Sequence, residues 1–242
     1  MLRIVSFILL LLSICAQQTA YAQLKPRILI FSATESFRHD NIEEGALALM
    51  EFFETKGLQV EHSEDVELFT EGNLLKYEVL VFFNTTGNLF NAEQKRAFQK
   101  FINSDKGFIG IHAACDTEHD WPWYGKLLGA YFKSHPAIQE ASIEVQNRKH
   151  PSAKHLPEIW RVKDEWYDYD LVNPAIQVLM NLDEKSYKGG KMGENHPIAW
   201  FHEFESSRVF YTGLGHRIEL FEDSNFLDHL WGGMRYVLKD LK

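Results

Sequence analysis

The 242-residue chain predicts an α/β fold: an open, mainly parallel sheet with helices on both faces and additional antiparallel strands in the C-terminal half. Three observations predict it. Short, almost continuously apolar runs rich in β-branched and aromatic residues recur in the first half, as expected of strands buried on both faces. Amphipathic helical patterns lie between them, which implies right-handed crossovers. The second half offers further strand-like runs with few helices between them.

The first 22 residues stand apart from this pattern. Arg3 precedes an apolar run over 4–12, and Ala20-Tyr21-Ala22 supplies the small-residue pattern of a cleavage site before Gln23, the signature of a secretory signal. The run is shorter than the roughly 20 residues that cross a bilayer. The expectation is an exported, periplasmic protein processed after Ala22, with no integral span and one domain over 23–242. Such a chain keeps one cysteine, Cys115, which cannot form an intramolecular disulfide, so the fold rests on its hydrophobic core.

Strands are expected at 27–32 (RILIFS), 79–84 (VLVFFN) and 107–112 (GFIGIH). Between the first two, Ile42, Ala46, Leu49 and Phe53 share one helical face after Asp40, with Glu43 placed for a capping box and Gly57 as the stop. Asn91 with Gln94 opens a second helix whose Ala97, Phe98, Phe101 and Ile102 form the buried stripe. Later strands are expected at 138–145, 158–162, 176–180, 198–204 and 208–212. Phe226, Leu230, Met234, Val237 and Leu241 then recur at helical spacing, so an amphipathic helix closes the chain.

Composition narrows the function classes. Twenty-five Lys and Arg against 34 Asp and Glu leave a net charge of −9, which removes the electrostatic basis for a nucleic-acid partner. Ligands of open α/β sheets bind beyond the carboxyl ends of the strands. Three histidines fall there: His39 after the first strand, His112 at the end of GFIGIH, and His216 after 208–212 by way of Gly213-Leu214-Gly215. Imidazoles converging at one edge can bind a metal or transfer protons, and each alone could equally cap a strand end. Gly110-Ile111-His112-Ala113-Ala114-Cys115-Asp116 has the form of a strand-turn-helix elbow, but the place of the nucleophile holds His112; Cys115 falls three residues later and reads as buried and inert.

Several stretches together resemble the ThuA-like (trehalose-utilisation) family of the class I glutamine amidotransferase-like superfamily. They are Ser36-Phe37-Arg38-His39-Asp40, Gly110-Ile111-His112 with Asp116, Gly129 through Phe132 with His135-Pro136, Asp164-Glu165-Trp166-Tyr167, His196-Pro197-Ile198-Ala199-Trp200, and Arg208 through His216. The resemblance implies a flavodoxin-like sheet that has lost the amidotransferase cysteine, as this chain has at His112. It also implies carbohydrate catabolism in which a sugar dehydrogenase first makes a 3-keto-glycoside and the ThuA-like partner acts on that small-molecule carbohydrate by elimination or hydrolysis. A non-catalytic, carbohydrate-binding accessory role is the alternative.

On this reading His112, His39 and His216 are the candidate catalytic residues and the candidate ligands of a divalent metal. Arg38, Asp116, His135, Glu165, Tyr167, His196 and Trp200 are the candidate substrate-binding residues. Glu165 and Tyr167 flank Trp166 and therefore fall on one side of an extended segment. Arg38 could bind a carboxylate or a hydroxyl, or merely pair with Asp40, and Trp200 could be core or a stacking surface.

Overall fold

In the computed structural model, which describes residues 25–240, strands and helices alternate through the first half in the expected order. The segment 1–22 and Leu241 lie outside the described residues. The elements are β1 (Arg27–Phe31), α1 (Ile42–Thr55), β2 (Gln59–Ser63), α2 (Glu71–Leu74), β3 (Val79–Phe83), β4 (Thr86–Gly87), α3 (Ala92–Ile102), β5 (Gly107–Ile111), β6 (Asp116–Thr117) and α4 (Pro122–Leu128). There follow β7 (Tyr131–Ser134), β8 (Gln139–Val145), β9 (Ile159–Asp164), β10 (Asp168–Asp170), β11 (Gln177–Leu182), β12 (Pro197–Phe204), β13 (Ser207–Thr212) and α5 (Ser224–Val237). No helix among the described residues is long and apolar enough to cross a membrane.

Nine strands form one sheet in the order β2-β1-β3-β5-β13-β12-β11-β8-β9. The first five pair in parallel, and every pairing from β13 to β9 is antiparallel. This arithmetic of direction matters for the site. Four reversals beyond β13 bring β9 back to the direction of the parallel strands, so its end at Asp164 faces the same edge as the ends of β1, β3, β5 and β13.

Helices cover both faces. Phe83 reaches Phe221 at 5.5 Å on the face that carries α1 and α5, and Gly45 of α1 lies against Phe83. On the other face Phe82 lies between Phe31, Phe98 and Phe108, with centroids 5.0–5.3 Å apart. All four rings are fully buried. Removing one such side chain costs about 3–5 kcal/mol, so this cluster is a main source of stability.

The two predicted helix starts turn out differently. Asn91 and Gln94 form the expected capping box, with Asn91 Oδ1 accepting from Glu93 and Gln94 N–H and Gln94 Oε1 accepting from Asn91 N–H. The box expected around Glu43 is absent. Asn41 occupies the cap position without a side-chain cap bond, because its amide is committed across the sheet edge: Nδ2 donates to the Gly215 carbonyl at 2.9 Å and Oδ1 accepts from Asn84 Nδ2 at 2.8 Å. Glu43 pairs with Arg38 instead.

Candidate active site

β5 ends at Ile111 and the chain turns at once into the 3₁₀ segment His112–Cys115, with His112 in the left-handed region at φ 49°. A side chain at such a backbone costs roughly 1–2 kcal/mol and persists where surrounding contacts hold it. Those contacts are present. Gly110 lets Leu128 approach where a Cβ would collide with it, the Tyr211 hydroxyl donates to the His112 carbonyl at 2.9 Å, and Ala113 N–H donates to Asn84 Oδ1 at 3.4 Å. The His112 Nδ1 lies 2.8 Å from the Gly213 carbonyl, so Nδ1 carries the proton and Nε2 offers its lone pair to the crevice.

His39 arrives on the loop after β1 and His216 on the loop after β13. The latter loop is clamped by the fully buried Asp164, whose Oδ2 accepts from Gly215 N–H at 2.8 Å and Oδ1 from Arg217 N–H at 3.0 Å. Burial pushes the Asp164 carboxyl up to about 6, against the pull of His112 and these backbone donors. The chain next to Asp164 presents Glu165, whose Oε2 lies 3.4 Å from His112 Nε2 and whose Oε1 lies 3.7 Å from His216 Nε2 and 3.0 Å from His135 Nδ1.

The three predicted imidazoles therefore meet. Ring centroids are 5.1 Å apart for His39 and His112, 5.3 Å for His39 and His216, and 5.2 Å for His112 and His216. One ligand atom from each, with one Glu165 oxygen, all lie within 4.8 Å of one another. His39 Nδ1, His112 Nε2 and His216 Nδ1 are buried and make no hydrogen bond within the described residues. Burial, reinforced by the neighbouring imidazoles, drives His39 down to about 2 and lowers His216, so both are neutral donors of a lone pair. Glu165 is pushed up by burial, but His112, His216 and His135 outweigh this and hold it below the ordinary carboxylate range, leaving it anionic. Three imidazoles and an anionic carboxylate brought this close match the donor set of a divalent first-row metal.

A family described as ThuA, trehalose utilisation, matches residues 27–237. The chain belongs to the ThuA family. It is similar to a solved ThuA-like protein from Bacteroides uniformis, at 26% identity over 91% of this chain and 94% of that one, with a TM-score of 0.71. A ThuA-like protein from Parabacteroides merdae shares 20% identity over 89% and 91% of the two chains, TM-score 0.74. A glutamine amidotransferase from Thermotoga maritima shares the fold at 11% identity over 88% and 98%, TM-score 0.50. No curated protein matches the chain. The family places this protein in carbohydrate metabolism on an amidotransferase-like sheet.

The remaining predicted residues of this ThuA-family chain separate into two groups. Glu165 and Tyr167 do share a side: the Tyr167 ring packs at 4.3 Å on His112, while Trp166 turns away, is fully buried and donates to the Gln139 carbonyl at 2.9 Å. His135 reaches Glu165 as described. His196 and Trp200, by contrast, lie apart from the three-histidine cluster, and His196 belongs to a second group of candidate metal ligands with Asp168 and Glu184. Both are fully buried, Trp200 within β12 and His196 immediately before it. His196 Nε2 sits 2.8 Å from the Tyr167 carbonyl and Nδ1 2.8 Å from Glu184, bracing the site from behind, and the Trp200 indole donates to the Leu128 carbonyl at 2.8 Å while stacking on Tyr211.

Arg38 also points away from the histidines. Its guanidinium binds Glu64 at 2.6 and 2.9 Å and Glu43 at 2.6 Å, which raises its already high pKa. Asp116 accepts from His119 Nε2 at 3.0 Å and lies outside the four-residue cluster. Cys115 is buried as expected, its Sγ 3.4 Å from the His112 carbonyl, and burial pushes the thiol up. Asn41 and Asn84 are not among the residues the sequence singles out, and Asp164, present in the Asp164-Glu165-Trp166-Tyr167 stretch, is given no role there; together they hold the three loops. The available signal was Asp164 falling in step with Trp160 and Val162 on the inward side of β9.

Proposed function

We propose that this protein is a carbohydrate-catabolic enzyme that cleaves an oxidised, 3-keto glycoside, with His39, His112, His216 and Glu165 as the ligands of a divalent metal. The observation that carries the reading is the convergence of those four donors within 4.8 Å at the carboxyl edge of the sheet. Membership of a trehalose-utilisation family supports the substrate class. A metal bound there supplies a Lewis acid for the ketone oxygen.

The protein's own groups supply the rest. A cleft of about 350 Å³ opens beside His39 and His216 and is large enough to admit a sugar. A ketone at C3 acidifies the C2 proton. His135 is the base in this reading: its Nδ1 lies 2.9 Å from the Pro136 carbonyl and 3.0 Å from Glu165 Oε1, so Nδ1 carries hydrogen toward two acceptors and Nε2 keeps its lone pair on a ring that is 43% exposed. The C2–H bond breaks toward Nε2 and its electron pair forms the enolate. Re-formation of the ketone makes a C1–C2 double bond, the C1–O bond breaks with its pair, and the departing oxygen takes the proton back from His135. Atoms and electrons balance without a co-reactant.

Such a substrate must come from a dehydrogenase that oxidises a glycoside at C3. In the same reading the segment 1–22 directs export to the periplasm. The test is incubation of purified protein with native and 3-keto-disaccharides, with and without divalent metals and a chelator. Metal-dependent release of the leaving sugar from the 3-keto form alone is expected. Tight binding with no turnover of any oxidised sugar would make the protein a carbohydrate-binding accessory instead.

A further inference from the structure

We propose that Phe37, with Ile138, forms a second subsite that holds the leaving-group sugar of a disaccharide, outside the histidine cluster. The inference rests on the functional reading above for the identity of the reacting ring, but its evidence is separate. Phe37 is 63% exposed and Ile138 41% exposed, and both line the cleft that has His39 and His216 at its inner side. Together they set apolar surface on the wall of an otherwise polar cleft.

The platform is pinned. The Phe37 carbonyl accepts from Thr86 Oγ1 at 2.8 Å, Glu35 N–H donates to the Thr86 carbonyl at 2.9 Å, and the Phe37 ring meets His39 edge-on at 4.9 Å. Gly87 permits this strand-to-loop approach, since a Cβ there would press on Glu35 at 2.9 Å, and its φ of 82° already excludes most side chains. On the other side, the Gln139 side chain donates to the Ala137 and Lys188 carbonyls at 2.9 and 2.8 Å, which holds the chain around Ile138. An aromatic face fixed in this way offers area to the C–H face of a pyranose at little entropic cost. Asp40, Glu44 and Glu219 stand around the same cleft, where carboxylates accept hydroxyl hydrogens.

Position decides which ring sits there. With the ketone-bearing ring against the imidazoles so that its C3 oxygen reaches them, Phe37 is the next apolar surface along the cleft, and the leaving-group ring is assigned to it. Phe37 is therefore a specificity residue for the leaving group.

The experiment compares wild type with Phe37→Ala and Phe37→Tyr on a 3-keto-disaccharide and on methyl 3-keto-glucoside, together with calorimetric titration of the native disaccharide trehalose. Phe37→Ala is expected to raise KM for the disaccharide about tenfold and to weaken trehalose binding similarly, with methyl 3-keto-glucoside turnover and metal content within twofold; Phe37→Tyr restores the disaccharide. Equal effects on both oxidised substrates, or none on either, would overturn the subsite. If wild type turns over no oxidised sugar, the functional reading fails, and the subsite then stands or falls on trehalose: loss of wild-type binding in Phe37→Ala supports it, and absence of wild-type binding refutes it.

Discussion

Replacing His112 with alanine tests the centre of the site. Two losses can be read from the structure. The ring is fully buried, so the Gly213 carbonyl at 2.8 Å loses its donor without gaining water, a cost of about 1–3 kcal/mol. The Tyr167 ring loses its partner at 4.3 Å, about 0.5–1.5 kcal/mol more. The left-handed backbone at φ 49° stays strained, since alanine tolerates it no better than histidine. His112→Ala is therefore expected to be folded but destabilised by about 2–4 kcal/mol, more than a residue at a pocket rim would cost. Its turnover of a 3-keto-disaccharide should fall on the order of 10²-fold or more, with metal stoichiometry lost in parallel.

Urea denaturation reads the first quantity, product release the second and elemental analysis the third. His155→Ala is the control, because His155 is exposed and only its Nε2 is engaged, 3.0 Å from the Asn225 carbonyl. A folded His112→Ala protein that binds metal and turns over substrate within a few-fold of wild type would refute the assignment and leave His112 as a strand-end hydrogen-bonding residue.

Asp164→Asn should weaken metal affinity about 10–100-fold in a metal titration, because its oxygens clamp Gly215 and Arg217 on either side of His216; unchanged affinity would dismiss the clamp. Cys115→Ser should keep turnover within a few-fold and iodoacetamide should leave wild type active, since the thiol is buried and raised; inactivation at intact fold would point to a thiol mechanism. Acid should destabilise the fold through His229, which burial drives down to about 3 although its Nδ1 lies near the Ser152 carbonyl. The folded pKa lies below the unfolded value of about 6.5, so below that pH the unfolded chain takes up the proton first. The stability present above 6.5 is then lost as pH falls toward 3, by about 2 kcal/mol at pH 5. Chemical denaturation at pH 7 and 5 should show this slope reduced in His229→Gln, and an unchanged slope would rule the residue out.

Burial on both faces made β1, β3 and β5 legible, because such strands must be almost wholly apolar. β2 escaped notice for the converse reason: it is an edge strand whose sequence, QVEHS, buries only Val60 and so shows neither an apolar run nor a clean alternation. The convergence of His39, His112 and His216 followed from topology, since each ends or follows a parallel strand. The placement of Glu165 depends on four strand reversals beyond β13, long-range geometry that local patterns do not encode. Adjacency in a motif says nothing about side: Trp200 lies on β12, which pairs on both edges and is covered on both faces, so its side chain becomes core, while His196, just before that strand, turns to Glu184 and the Tyr167 carbonyl instead of the histidine cluster.

The elbow at His112 explains why one fold supports unrelated chemistry. In an acyl-transfer elbow the strained residue is the nucleophile, and the next backbone N–H must be free to stabilise the oxyanion. Here the strained residue is an imidazole, and the next N–H, that of Ala113, donates to the buried Asn84. Asn84 in turn donates to Asn41, and Asn41 to the Gly215 carbonyl beside His216, so the donor that would serve an oxyanion instead ties the three histidine loops together. The change of side chain and the capture of the amide act in the same direction. Restoring a cysteine at position 112 alone would leave Ala113 engaged and the crevice lined by His39, His216 and Glu165, and acyl transfer should not return.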